Sequence, residues 1–113
     1  MMTTIKTSEL TGPALNWAVA KSNGQQGRMA ALESGVRFWS PSSEWADGGP
    51  IIEREEICTV ICTWNSPWFG KWNATCNKDG SVDEYGPTPL IAAMRCYCAS
   101  KLSDEVVVPT ELL

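Results

Sequence analysis

The sequence contains no histidine, and this absence removes the commonest general base and the commonest nitrogen ligand of transition metals. A Ser-His-Asp or Cys-His catalytic arrangement therefore cannot be built within one chain. The phosphate-binding patterns GxxxxGK(S/T) and GxGxxG after a strand are also missing. The sequence predicts a protein that is not an enzyme, and it offers no catalytic residue.

Long apolar segments and clusters of positive charge are missing as well. No apolar run reaches the roughly 18 residues of a membrane-spanning helix, and the start of the chain, MMTTIKTSEL, lacks the apolar segment of a signal peptide. Nine Lys and Arg residues stand against thirteen Asp and Glu residues, without a basic run of three. Since sequence-independent binding of nucleic acid depends on neutralising phosphates, this balance argues against nucleic acid as a partner. We expect a cytoplasmic protein without a membrane contact.

Five cysteines are present, but their spacing is not that of a metal site. Three residues separate Cys58 from Cys62 and one separates Cys96 from Cys98, whereas zinc knuckles usually have two. Cytoplasmic thiols stay reduced, and cysteine packs well as a small apolar side chain. We therefore expect buried free thiols, no metal and no cofactor, although a cross-strand disulfide from Cys76 to Cys58 or Cys62 is geometrically conceivable.

The length of 113 residues and the hydrophobic content of 43% predict a single domain over residues 1–113. Residues 1–9 are polar and predict a frayed end. Apolar residues then recur at helical intervals in PALNWAVAKS, which starts after a plausible cap at Thr11 and stops at Asn23-Gly24. The following GQQGRMAALESG predicts a loop with a short irregular strand near 29–32, and 36–39 should be extended.

The middle of the chain predicts two short helical segments and a hairpin. Ser42 or Ser43 can cap a turn of helix through Trp45, Gly48-Gly49 breaks this turn, and Pro50 starts a second short helix. With this bend, Trp45, Ile51 and Ile52 can all reach the core. The β-branched ICTVICTW (57–64) and the alternating KWNATC (71–76) are strands that residues 65–71 can join. The predicted inward residues are Cys58, Val60, Cys62, Trp64, Trp72, Ala74 and Cys76.

The last third predicts a connection, a helix and an edge strand. NKDGSVDEYGP (77–87) is rich in turn residues, LIAAMRCYCASKL (90–102) is rich in good helix formers, and 106–108 can add a strand at the sheet edge. The fold class is therefore α+β: a small antiparallel sheet built on a central β-hairpin, with two main helices packed on it, plus one or two short helices.

Arg95 defines one candidate ligand site. It lies at the edge of the apolar arc of the last helix, where a half-packed guanidinium requires an acceptor, and Asp47 or Glu53 could supply a carboxylate. Such a pair would stabilise the fold, whereas an unpaired Arg95 would be free for a ligand. The residues of this candidate small-molecule or nucleotide site are Trp45, Asp47, Gly48, Gly49, Glu53 and Arg95. Without such a site, the acidic residues near 53–56 are a solvated surface.

Trp68 and Phe69, at the tip of the predicted hairpin, define a candidate interaction site. Exposed aromatic side chains are costly unless they pack on something, and aromatic residues are enriched in protein interfaces. Two alternatives remain open at this point. The tip folds back onto its own sheet, or it contacts a partner or a second copy of the chain.

Three segments carry a family resemblance. KTSELTGPALNWAVAK (6–21), FWSPSSEWADGGPIIERE (38–55) and GPTPLIAAMRCYCASKLSDEVVVP (86–109) resemble, in this order, the NinX family of small lambdoid-phage proteins. The layout is also similar to phage proteins described as α-β-α sandwiches. The resemblance implies a phage or prophage accessory protein made in a bacterial host cell, and it implies no activity.

Three functions follow as hypotheses. The first is a non-enzymatic accessory protein that binds a phage or host protein, with homo-oligomerisation as a further possibility. The second is a small-molecule or nucleotide-binding module at Asp47-Gly48-Gly49 and Arg95. The third, which the acidic balance disfavours, is a nucleic-acid accessory protein of phage recombination or regulation.

Overall fold

A computed structural model describes residues 1–76 and 81–113 and shows the predicted mixed α+β fold with antiparallel sheets. The strands are β1 (Met2–Lys6), β2 (Cys58–Ile61), β3 (Trp72–Cys76), β4 (Val82–Gly86) and β5 (Glu105–Pro109). The helices are α1 (Gly12–Ser22), α2 (Gln26–Glu33), α3 (Trp45–Glu55) and α4 (Pro89–Lys101), with 3₁₀ turns at Thr7–Glu9 and Thr110–Leu112. Within the described residues, none of the helices combines the length and the apolar content that a membrane crossing requires.

Helix α4 is the centre of the packing. It begins at Pro89, and the Thr88 side chain caps it by accepting a 3.1 Å hydrogen bond from the Ile91 amide. One side of α4 lies on the sheet formed by β2, β3 and β4, and the other side contacts α1 and α3. The largest fully buried apolar side chains of the core include Leu10, Leu15, Val19, Met94 and Val108. Among the described elements, the extensive contacts of α1 are with α2, α4 and β5 rather than with the three-stranded sheet.

Small residues allow α4 to lie close to the sheet. A Cβ atom on Gly86 of β4 would come within 2.8 Å of the Ala92 backbone nitrogen and 3.0 Å of Ile91 Cγ2. Ala92 and Ala93 are themselves fully buried. Glycine and alanine at these positions therefore set the distance between helix and sheet.

The order of strands in the larger sheet is β2-β3-β4, with β3 in the middle. β4 is a strand that the sequence did not predict, because VDEYG lies in a segment rich in turn residues; the rest of that prediction, residues 77–80, lies outside the described residues. β4 pairs with β3 over its whole length, from Trp72 opposite Gly86 to Cys76 opposite Val82. Pairing and burial against α4 therefore override the weak local preference.

The alternation predicted for β3 is confirmed, whereas the predicted inner face of β2 is wrong and burial does not alternate along β2, where Ile61 is exposed like Val60. Ala74 and Cys76 are buried, as predicted, and Trp72 packs against the core. Since Thr59 lies opposite Ala74 and Ile61 opposite Trp72, these two residues share the inner face. The predicted inward residues Cys58, Val60 and Trp64 are exposed, and Cys62 is half-buried.

The two terminal segments form a second sheet. β1 pairs with β5 over Met2–Lys6, so the prediction of a frayed N-terminus is wrong. The following residue, Thr7, is buried, and its hydroxyl donates a 2.7 Å hydrogen bond to the Ser103 carbonyl. The strand predicted at 106–108 exists as β5, but its partner is β1 and not the hairpin sheet. A polar N-terminus is thus fixed by backbone pairing with β5 together with the burial of Thr7 and the packing of Ile5 against the core.

Two further differences concern helices. The predicted loop or short strand after Gly24 is α2, which packs on α1 through buried Leu32 and through a 2.9 Å hydrogen bond from the Trp17 indole to Glu33. The segment 36–39, predicted as extended, contains no strand. Contacts with α1 therefore determine that this segment is helical, although its own apolar periodicity is weak.

The two short helices predicted around Gly48-Gly49 form one continuous helix, α3. Pro50 inside it removes one helical hydrogen bond, but Gly49 carries no Cβ that the proline ring would clash with. The glycine pair therefore does not break the helix. Ile51 is buried and Ile52 partly buried, whereas Trp45, which we expected in the core, is exposed at the start of α3.

Candidate functional site

The structure does not assemble the ligand site predicted around Gly48-Gly49. Asp47 accepts a 2.9 Å hydrogen bond from the Ser40 amide and lines a small polar cleft together with Arg28 and Arg54. Glu53 is exposed on α3. Arg95 lines a different cleft, so the predicted pairing of Arg95 with Asp47 or Glu53 is wrong.

The two glycines of the predicted site have different surroundings. A Cβ on Gly48 would overlap the Pro41 carbonyl oxygen and lie 2.7 Å from Leu90 Cδ2, so Gly48 permits the contact between α3 and α4. A Cβ on Gly49 would meet no atom within 4 Å beyond its chain neighbours. Trp45 lies in a groove with Thr88, Pro89 and Leu90, away from both charged clefts. Gly48 therefore has a packing role.

Main-chain carbonyls hold Arg95 in place. Its Nε donates to the Leu10 carbonyl and its Nη1 to the Tyr85 carbonyl, each at 2.8 Å. The guanidinium thereby connects the segment between the first 3₁₀ turn and α1 to β4, and it is half-buried. Burial lowers the pKa of Arg95, and the nearby Glu84 carboxylate acts in the opposite direction. The acceptor that the half-packed arginine requires is therefore the backbone and not a paired carboxylate.

The cleft at Arg95 combines charged and aromatic side chains from four segments of the chain. It has a volume of about 340 Å³ and is lined by Ser8, Trp68, Lys71, Glu84, Tyr85, Gly86, Pro87 and Arg95. Burial, together with the charges of Asp104 and Asp83, raises the pKa of Glu84. We call this the Arg95 cleft. It contains two cations, one carboxyl group and an aromatic wall.

Trp68 forms that wall by folding back onto its own sheet, which is the first of the two alternatives left open by the sequence. Its indole stacks on the Tyr85 ring with centroids 4.5 Å apart and planes inclined by 16°. The indole is nevertheless 44% exposed. Since the stack uses one face of the ring, part of Trp68 remains available to another molecule.

The remaining aromatic side chains of the β2–β3 connection lie at the surface. Trp64 is 82% exposed and Phe69 is 66% exposed. Val60 is also exposed and shares the outer face of the sheet with Asn73 and Tyr85, which follow it across the strands. We call Val60, Trp64 and Phe69 the apolar outer surface. An α-β-α sandwich would cover both faces of this sheet, but within the described residues the extensive helix contact is with α4, on the inner face.

Arg95 and Trp68 were predicted as residues of two separate sites, and both line the Arg95 cleft, whereas Ser8, Lys71, Glu84 and Tyr85 of this cleft were not predicted as site residues. The outward position of Lys71 followed from the alternation of 71–76 and could have placed it beside Trp68. Glu84 and Tyr85 lie on the strand that was not predicted, and Ser8 lies in a segment expected to be frayed. Within the described residues, no group of three His, Cys, Asp or Glu side chains could hold a metal ion.

Comparison with known proteins gives one family. The family model described as "Bacteriophage P22, NinX" matches residues 6–101 of the chain. A search of curated proteins found no match.

Proposed function

Since the chain belongs to the NinX family of phage proteins, we propose that this phage accessory protein acts without catalysis, by binding a phage or host protein through the apolar outer surface. One observation carries the proposal: Trp64 and Phe69 are both strongly exposed within a single connection of the sheet. Large exposed apolar side chains in one region are typical of interaction sites.

The chemistry of the surface supports a protein rather than a nucleic-acid partner. The chain carries a net charge of −4, and Lys71 is the basic residue of the β2–β3 connection. Fully burying a large aromatic side chain removes about 150–250 Å² from solvent. At about 25 cal/mol per Å², each would contribute several kcal/mol before the entropy lost on association is subtracted. Two such anchors suffice for a specific contact, as in interfaces dominated by a few aromatic residues.

The non-enzymatic part of the proposal is supported by the sequence itself. The chain has no histidine. Its most acidic segment, 53–56 on and after α3, contains Arg54, which pairs with Glu55 at 2.8 Å. Glu55 also lies 3.5 Å from Lys101, so this carboxylate is engaged in contacts that stabilise the fold. The Glu55 carboxylate thus faces two cations, whereas a glycosidase-like hydrolytic site needs two carboxyl groups that face each other.

The test is recovery of partners from phage-infected cells with a Trp64→Ser/Phe69→Ser double variant. Both side chains are solvent-exposed, so the double variant should fold like the wild type, as circular dichroism would check. We expect at least one partner to be enriched with the wild type and lost with the double variant. Phe38→Ser is the matched control because Phe38 is 96% exposed in a different segment. Equal recovery of every protein with both variants would overturn the proposal.

Self-association is a separate outcome of the same variants. If the partner of the apolar outer surface is a second copy of the chain, sedimentation of the wild type will show a dimer that the double variant lacks. In that case the partner of the apolar outer surface would be a second copy of the chain and not a phage or host protein. A monomeric wild type together with a variant-sensitive partner supports the proposal as stated.

A further inference from the structure

The Arg95 cleft is not lined by Val60, Trp64 or Phe69, and the proposed function does not use it. Arg95 has five N–H donors, of which the Nε group and one on Nη1 are committed to the Leu10 and Tyr85 carbonyls. These two bonds fix the plane of the guanidinium at the wall of the cleft. A guanidinium held in this way is preorganised for the oxygens of an anion, because little side-chain entropy remains to be lost.

A second cation and a hydroxyl lie at the same cleft. Lys71 is exposed, and its backbone is fixed by hydrogen bonds from Cys62 to its carbonyl and from its own amide to Trp68, both at 2.9 Å. Ser8 contributes a hydroxyl from the 3₁₀ turn after β1. Arginine, lysine and serine together supply the kinds of N–H and O–H donors that commonly bind phosphate groups in proteins.

The aromatic wall adds a requirement for a planar group. Trp68 stacks on Tyr85 through one face of its indole and is partly exposed, so a flat ring can extend the stack on the other face. Stacking of a nucleobase on an aromatic side chain contributes about 1–3 kcal/mol. Glu84 provides a carboxyl group that can accept hydrogen bonds from a base amino group or from sugar hydroxyls.

The size of the cleft limits the ligand. A volume of about 340 Å³ lies at the lower end of the range of roughly 300–1,000 Å³ for ligand sites. The net charge of Lys71, Arg95 and Glu84 fits one small anionic group rather than a triphosphate. We propose that the Arg95 cleft binds a nucleoside monophosphate, with the base on Trp68 and the phosphate between Arg95 and Lys71.

The test is calorimetric titration of the wild-type protein with the four common ribonucleoside 5′-monophosphates, with adenosine and with inorganic phosphate. We expect at least one monophosphate to bind more tightly than inorganic phosphate and than adenosine. Lys71→Gln and Trp68→Leu should each weaken that binding about tenfold, which corresponds to about 1.4 kcal/mol. Both residues are exposed, so these variants avoid the loss of the structural hydrogen bonds that an Arg95 substitution would cause.

Lys101→Gln is the matched control, because Lys101 is an exposed lysine at the far end of α4, outside the cleft. It should leave the affinity unchanged. Failure of all four monophosphates to bind at millimolar concentration would overturn the proposal, as would binding insensitive to Lys71→Gln and Trp68→Leu. Inorganic phosphate binding as tightly as the nucleotides would overturn the role of the base. Because Trp64 and Phe69 are untouched, these results are independent of the protein-binding test.

Discussion

The two faces of the three-stranded sheet have opposite environments although their strands alternate in the same way. On the inner face, Ala74 and Cys76 are buried against α4, and Gly86 approaches the helix backbone. On the outer face, Cys58 and Val60 are exposed. Alternation therefore identifies two faces, and the neighbouring helix decides which one is inside.

The difference also separates the molecule into a tightly packed part and an open part. Around α4, the close packing depends on glycine and alanine residues. A larger side chain at these positions would not fit. On the outer face Val60 extends into solvent, and Trp64 and Phe69 of the β2–β3 connection are exposed as well. The following predictions test this contrast, from the largest expected effect to the smallest.

Gly48→Ala should lower the free energy of unfolding by about 2–3 kcal/mol, because the new methyl group would overlap the Pro41 carbonyl oxygen and Leu90. The adjacent Gly49→Ala is the matched control. Its methyl group meets open space, and the gain in helix propensity of about 0.5–1 kcal/mol is opposed by the restriction before Pro50. Urea denaturation of both variants is the measurement. Equal losses would mean that the space around α4 is not the cause.

The cysteines should react at very different rates with a thiol reagent. Cys58 is exposed, whereas burial raises the pKa of Cys98 to about 12, and a hydrogen bond to Cys76 together with burial raises the pKa of Cys96. We expect Cys58 to react fastest, the half-buried Cys62 to follow, and Cys76, Cys96 and Cys98 to react at least a hundredfold more slowly than Cys58. The buried thiols react only after opening of the fold, which typically costs several kcal/mol. Fast reaction of Cys76, Cys96 or Cys98 in the native protein would contradict the packing around α4.

The register also decides the disulfide considered from the sequence. Cys58 lies opposite Thr75 on the outer face, whereas Cys76 is on the inner face. A bond between Cys58 and Cys76 would require crossing the sheet. All five cysteines are free thiols in the structure.

Glu84 should make stability depend on pH in the direction opposite to a paired carboxylate. Its pKa in the folded protein is raised by burial, so the folded state binds the proton more tightly than the unfolded chain does. Stability therefore increases as pH falls through the folded-state pKa toward the unfolded value of about 4.3. Glu84→Gln should raise the unfolding temperature at neutral pH. The gain should vanish below a pH of about 4.3, the unfolded-state pKa of a glutamate.

Glu53→Gln is the control for this effect, because Glu53 is exposed on α3. The Glu53→Gln variant should change the unfolding temperature little, both at neutral pH and below a pH of about 4.3. A Glu84→Gln variant less stable than the wild type at neutral pH would mean that the attraction between Glu84 and Arg95 exceeds the effect of burial.

The elements that could be predicted, α1, α4 and β3, each have a clear residue pattern within their own segment of the sequence. α1 and α4 have strong apolar patterns and proline near their first residue, and β3 alternates cleanly with Ala74 and Cys76 inside. β1 and β4 could not be predicted in this way. Their sequences, MTTIK and VDEYG, are polar or rich in turn residues, and the energy that orders them comes from pairing with distant strands.

The candidate sites show the same limit. Arg95 was identifiable as a half-packed cation from the helical pattern, and Trp68 as an aromatic residue at a hairpin tip. Their neighbours were not, because Ser8 and Tyr85 reach the Arg95 cleft through β1 and β4. The expected carboxylate partners were wrong since Asp47 binds the Ser40 amide instead. The chemical character of Arg95 and Trp68 was thus predictable from the sequence. The residues that the fold places beside them were not.

Val60→Thr should change the free energy of unfolding by less than about 0.5 kcal/mol, because an exposed hydroxyl remains hydrated. The same substitution at Val108, a fully buried valine of β5, should cost about 1–3 kcal/mol, because it buries a hydroxyl. Denaturation of both variants measures the difference between a covered and an open strand face. If Val60→Thr costs as much as Val108→Thr, the outer face is covered in the free protein. Self-association would then be the explanation to test by sedimentation, because the described part of the chain does not bury Val60.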